Sequence, residues 1–156
     1  MTIVEGNHRI FRKNNNMKGL AGQYDVLEFE RYPYTPDQLE KVSKLIRSNL
    51  TDDLLSKEIK KKYPDNHFRW KYPFFGHCVP ATFVLLYLMD TEILEPMRGE
   101  NTDGEGHWWL RDNFSQEKYD LTFDQFATNQ EREDVYETGK PRGYYGFGEM
   151  PASRFF

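Results

Sequence analysis

The sequence predicts a single α+β domain in which a helical N-terminal half packs on a small antiparallel sheet. Three observations lead there. Capped segments with apolar residues at helical spacing fill residues 35–62, and an 11-residue apolar run from Val79 to Met89 follows them. Beyond residue 106 the pattern changes to short runs of strand-formers separated by polar turns. The chain has 156 residues, the size of one ordinary domain, and its 12 Phe, 10 Tyr and 3 Trp supply large rings for one core.

Residues 1–23 are polar, carry the run Asn14, Asn15, Asn16 and keep no sustained period. They are expected to form an irregular lead-in to a domain of residues 24–156. Thr35 is a good N-cap, Pro36 suits the first helical position, and Leu39, Val42, Leu45 and Ile46 mark one face of a helix running to about Asn49. Thr51 is expected to cap a second helix with Leu54, Leu55 and Ile59 as its stripe. Tyr63-Pro64 stops that helix after Lys60, Lys61 and Lys62, whose charges suit a helix C-terminus. After the aromatic loop HFRWKYPFFG, the segment from Cys78 to Asp90 reads as a buried central helix with Pro80 in its first turn. Gly99 to Gly106 reads as a loop, His107 to Leu110 as a strand, and Tyr119 to Thr122 as its hairpin partner. Thr122 with Gln125 three residues on gives a capping-box pattern, so a short helix is expected from Phe123. From Gly139 onward the glycine-aromatic tail reads as a loop or edge strand.

Composition removes several classes of function. A net charge of −4 argues against a general nucleic-acid coat or a polybasic membrane binder. A single cysteine excludes an intramolecular disulfide framework and a zinc site built on paired cysteines. The 11-residue apolar run falls short of the roughly 20 residues of a membrane span. The first residues lack the apolar stretch of a signal peptide, so a cytoplasmic chain with a reduced thiol is expected.

Chemistry is expected at Cys78, His107 and Asp120. A helix start presents unpaired N–H groups and the positive end of the dipole, which favour a thiolate. His107 opens a strand that sets His107, Trp109 and Arg111 on one face. A hairpin centred between Asn113 and Phe114 places Asp120 opposite His107, where a carboxylate fixes the imidazole tautomer. Asp112 and Asn113 lie too far along the strand, and Glu105, two residues away on the same face, is the reserve partner. The order Cys, His, Asp is that of a thiol nucleophile, a base that takes its proton, and a carboxylate that orients the base.

The run HWWLRDNFSQEKYDLT resembles the His-strand, Asp-strand hairpin of papain-like and transglutaminase-like cysteine enzymes, over residues 74–126, although the tryptophan usual beside a transglutaminase cysteine is missing. GHC, HWW and DLTFDQF are together similar to the YunG-like family of bacterial and phage proteins, over residues 36–148. That resemblance implies a common fold, and the family has no settled function to carry over. His77 stands where that family often has glutamine; His77 and Trp109 are the weaker candidates, for an oxyanion or a substrate.

The expected function is that of a cysteine-dependent hydrolase or acyltransferase on an amide, thioester or isopeptide bond, working without a cofactor on a protein, peptide or small amide. The alternative is a non-enzymatic binding protein, a phage or host-interaction module that uses the fold's groove or the basic segment from Lys57 to Lys71. That segment holds six basic residues against Glu58 and Asp65 and reads first as a solvated helix end, second as a contact for an anionic partner such as nucleic acid. The surrounding rings Trp70, Tyr72, Phe74, Phe75, Trp108 and Trp109 read as core before stacking platform. A metal held by His77, Cys78, His107 and Asp120 is not expected, because adjacent residues at a helix start rarely face one ion.

Overall fold

The structure, a computed structural model, describes residues 8–13, 24–29 and 31–142, with backbone only for the first two segments. Strand β1 (His8–Lys13) pairs antiparallel with β2 (Tyr24–Phe29), Ile10 opposite Leu27 and Phe11 opposite Val26. Part of the expected irregular lead-in is therefore a hairpin. Short runs of β-branched and aromatic residues at both ends suffice for pairing without a long period. Residues 1–7, 14–23 and 143–156, which include the rest of that lead-in and most of the tail, lie outside the described residues.

The expected first helix is present as α1 (Pro36–Arg47). Thr35 Oγ1 accepts from the Gln38 N–H at 3.2 Å, and Val42 and Ile46 are buried. The expected second helix is broken in two: a 3-10 turn over Asp52–Leu54, then α2 (Lys57–Lys62). Ser56 is the reason, because its side chain caps Ile59 N–H while Leu55 stays extended. Thr51 spends its hydroxyl on Asp53 instead.

Helix α3 (Cys78–Leu88) is apolar on all sides and buried over most of its length, which makes it the central element. It runs into β4 (Met89–Asp90), which pairs in parallel with β3 (Tyr32–Pro33). Its C-terminal end is closed by Arg31, which donates to the carbonyls of Tyr87 and Met89 at 3.1 and 2.6 Å.

The main sheet is antiparallel, ordered β7-β6-β5-β8, with β5 (Leu94–Glu100), β6 (Gly106–Asp112), β7 (Lys118–Tyr119) and β8 (Lys140–Pro141). Gly99 and Glu100 thus belong to a strand and Gly106 opens the next, so the expected loop shrinks to residues 101–105. Pro96 conceals β5 in the sequence. Its carbonyl accepts from Arg142 N, so its ring nitrogen faces the sparsely paired β8 side and the ladder to β6 stays whole. The tail after Gly139 begins as the expected edge strand.

Both faces of the sheet are covered. Trp108 and Leu110 join the cluster of Val42, Ile46, Phe83, Val84, Leu85 and Leu88 from α1 and α3, whereas Trp109 packs with Met97 and with Val135 of α4 (Asn129–Glu137). Backbone comes very close to the Trp109 ring there: a Cβ built on Gly139 would stand 2.5 Å from it, and one on Gly99 would stand 3.0 Å from it and 2.2 Å from the Val135 carbonyl.

The β6–β7 hairpin differs in register from the expected one. Leu110 pairs with Tyr119 and Arg111 with Lys118, which centres the hairpin between Phe114 and Ser115. Asp112 sets this register, since its Oδ1 accepts from the N–H groups of Phe114 and Ser115 at 2.7 and 2.8 Å and Gln116 takes φ of +64°. Continued inward, the register sets Thr122 rather than Asp120 opposite His107.

Trp109, 1% exposed, carries the α4-side core, and Phe114, 84% exposed at the hairpin tip, carries none. Trp109→Ala is expected to cost about 3 to 5 kcal/mol in urea unfolding, and Phe114→Ala less than about 0.5 kcal/mol.

Candidate active site

Cys78 is the first residue of α3, as its sequence position predicts. Gly76, at φ +85°, turns the chain into the helix in a conformation that favours glycine, and a Cβ there would crowd the Leu55 and Ile59 side chains at 2.8 and 3.2 Å. With Pro80 in the first turn, the Cys78 and Val79 N–H groups are left at the helix start. His77 occupies the N-cap position, but its side chain does not cap. Its Nε2 lies 2.9 Å from the Thr51 carbonyl, an acceptor only, so Nε2 carries the proton. The buried Nδ1 has no partner and in the neutral ring holds a lone pair, the opposite of what an oxyanion needs. Only a protonated His77 fits the oxyanion role expected for it.

Two residues of register separate the hairpin from the expected one, yet His107 and Asp120 meet: Nε2 to Oδ2 is 2.6 Å. A slip of two keeps every side chain on its own face, and β7 ends at Tyr119, which frees Asp120 to turn toward the ring. Asp120 is held from three more directions. Tyr136 donates its hydroxyl at 2.7 Å, the Thr122 N–H donates at 3.0 Å, and the Thr122 hydroxyl stands at 3.4 Å. The other ring nitrogen, Nδ1, is met by the Gln125 side-chain amide. Trp109 stacks on the imidazole with centroids 5.9 Å apart, and Phe126 presents an edge at 4.6 Å. Cys78 acts on the same ring and favours its charged form.

This arrangement decides the charges. Burial opposes charging His107, but the Asp120 carboxylate, and after it Cys78, outweigh burial, and the imidazole is pushed up to about 10. Burial opposes ionising Asp120 as well, and the His107 charge and its hydrogen bond override it, so the carboxyl is held below its ordinary range. Tyr136 is pushed up by burial and by Asp120, which keeps its hydroxyl a donor.

The other expected residues lie elsewhere. Glu105 does not reach His107; it accepts from Tyr63, Asn101 and Arg69. Asp112 accepts from the Tyr34 hydroxyl at 2.5 Å and holds the hairpin turn. Trp109 is a wall behind the imidazole and not a surface for substrate, because a ring 1% exposed offers nothing to a ligand. The basic segment is not one patch. Its Arg69 is buried and neutralised by Glu131 at 2.7 Å and Glu105 at 3.2 Å, while its lysines stay exposed around α2 and the turn after it. A cavity of about 30 Å3, lined by Arg69, Glu105, His107, Gln125 and Glu131 among others, lies beside the ring and has room for about one water. Gln125 and Tyr136 are the site residues that sequence reasoning missed. Gln125 was legible only as a capping-box residue, and Tyr136 lies on α4, a helix whose polar sequence gives little periodic signal.

Among the described residues, no group of three His, Cys, Asp or Glu side chains is placed to hold a metal ion, and no helix is long and apolar enough to cross a membrane. No protein-family model, no curated protein and no solved structure matches the chain.

Because folding raises the His107 pKa from its ordinary 6.5 to about 10, the stability it contributes is complete below pH 6.5 and is lost as the pH rises through 10. Asp120 works in the other direction: its contribution is present above the ordinary carboxylate pKa and is lost as the pH falls through its lowered value. The stability difference between wild type and His107→Gln, read from urea midpoints, is expected to shrink from pH 6.5 to pH 10. NMR titration of the His107 ring is expected to give a lower pKa in Asp120→Asn and an unchanged one in Asp112→Asn.

Proposed function

We propose that this chain is a cysteine-dependent hydrolase or acyltransferase acting on an amide, thioester or isopeptide bond. The observation that carries the reading is the buried imidazole of His107, bonded through Nε2 to Asp120 and favoured in its charged form both by that carboxylate and by the cysteine that starts the buried helix α3. With Nε2 committed to Asp120, Nδ1, which the Gln125 amide also meets, is the nitrogen that serves the thiol. Cys78 Sγ, its proton already resting on Nδ1, attacks the carbonyl carbon as the thiolate of an ion pair with His107, and the Cys78 backbone N–H donates to the developing oxyanion. His107 then returns the proton to the leaving amine or thiol, and an acyl-thioester remains on Cys78. Water completes hydrolysis, or an acceptor amine completes transfer, again with His107 as base. Asp120 keeps the ring in one orientation and stabilises its charge.

The papain-like or transglutaminase-like core and the kinship with the YunG-like family belong to the same proposal. They rest on the chain order of helix cysteine, strand histidine and following aspartate, and on the motifs GHC, HWW and DLTFDQF. A cytoplasmic setting, which keeps the thiol reduced, accords with it.

One observation favours the second reading, a binding protein: Cys78 is 8% exposed and His107 2%. Alkylation separates the two. As a thiolate paired with His107, Cys78 in the folded protein is expected to react with iodoacetamide at pH 6.5 about tenfold faster than a free cysteine. His107→Ala is expected to abolish that advantage. Reaction only on unfolding, with no turnover of amide or thioester substrates, would assign the fold to binding.

A further inference from the structure

The segment Asp120 to Gln125 brackets the His107 ring, with Asp120 on Nε2 and Gln125 on Nδ1. We propose that Gln125 is a positioning residue of this site, its amide turning to match the proton state of His107 Nδ1, with Arg47 holding the turn that carries it. The consequence at the thiol rests on the cysteine reading above; the effect on the ring does not.

Gln125 is buried, and no backbone capping bond occupies its side chain. In the capping box suggested by the sequence, its amide would fold back on the Thr122 N–H. That N–H is given to Asp120 Oδ1 instead, and the amide is left for the imidazole. An amide is one of the few side chains suited to both states of a ring nitrogen. Its N–H donates to the lone pair of neutral Nδ1, and after half a turn its oxygen accepts from the Nδ1–H of the imidazolium. The second bond is charge-assisted and the stronger of the two, so Gln125 favours the imidazolium that forms when the thiol gives up its proton. The proton balance is closed: it leaves sulfur, rests on Nδ1 and is shared with Gln125 Oε1 or the thiolate.

The turn is fixed from outside the site. Arg47 of α1 donates to the Leu121 carbonyl at 2.6 Å, pairs with Asp124 at 2.9 and 3.2 Å, and lies over the rings of Phe74 and Phe123. The contacts to Leu121, Phe123 and Asp124 immediately precede Gln125 on the chain, so loosening them frees the amide without touching the imidazole. The other charged or titratable groups around His107 are Asp120 and Cys78 directly, Tyr136 through Asp120, and Arg69, Glu105 and Glu131 across the adjoining cavity.

The test is NMR titration of the His107 ring in full-length wild type, Gln125→Leu, Gln125→Glu and Arg47→Gln, with the pH profile of Cys78 alkylation measured beside it. Leucine removes the acceptor, and the His107 pKa is expected to fall by about one pH unit; glutamate adds a charge, and the pKa is expected to rise. Arg47→Gln is expected to shift it in the same direction as leucine and by less, and it also serves if Gln125→Leu does not fold. Alkylation at neutral pH is expected to slow in Gln125→Leu, because a weaker imidazolium holds less of the thiol as thiolate. Shifts of the same sign in Gln125→Leu and Gln125→Glu, or none, overturn the proposal, since a packing role does not reverse with charge. Opposite shifts with an inert Cys78 leave the proposal standing and remove the cysteine-enzyme reading. A fast, His107-dependent thiol with an unmoved His107 titration does the reverse.

Discussion

The contact between His107 and Asp120 is the constraint around which the C-terminal half is arranged. Both side chains are almost wholly buried, at 2% and 3% exposure, and a charge so placed is tolerable only where its partners are complete. The completion comes from four separate parts of the chain. Strand β6 supplies the imidazole, the end of β7 the carboxylate, the following turn Thr122 and Gln125, and α4 the Tyr136 hydroxyl. Breaking any one of them leaves a buried polar atom unsatisfied, so the site and the fold of this half stand or fall together.

A second buried charge, Arg69, does comparable work on the neighbouring side. Its guanidinium bridges Glu105, at the end of the β5–β6 turn, and Glu131, in the first turn of α4. The same Glu131 accepts from the Ala127 N–H, while Thr128 caps α4 through the Glu131 N–H. The aromatic segment before Cys78 is thereby tied to the helix that carries Tyr136, and the two ends of the site share one electrostatic frame.

Much of this was legible from residue types and spacing. Thr35 and Pro36 announce α1 because capping chemistry is local. Cys78 at a helix start follows from the apolar run after Gly76-His77. The His107–Asp120 partnership survived a wrong register because the error was even, and face depends only on parity. What stayed hidden was decided by contacts distant in sequence. Strand β5 carries a proline that reads as a break until β8 is seen to leave that edge open. Helix α4 buries fully only Val135 and so shows little period. Ser56 outcompeted Thr51 as a cap, a choice between two adequate residues that local rules do not make. Gln125 fits a capping pattern in the sequence, and only the fold shows that its amide is spent on a ring 18 residues away.

The close approach of Gly99 and Gly139 to the Trp109 ring links three positions that sequence alone treats as unrelated. The indole occupies the space where a Cβ on Gly139 would stand, whereas the Val135 carbonyl bars one on Gly99 first, so side-chain volume at 109 and the absence of one at 139 are two statements of one packing condition. An alanine at 139 fits this core only when a smaller ring stands at 109. The order of replacement is thus directional: 109 first, 139 second. Drift at this corner of the core is gated by a single residue, and the imidazole stacked on that residue inherits the restraint.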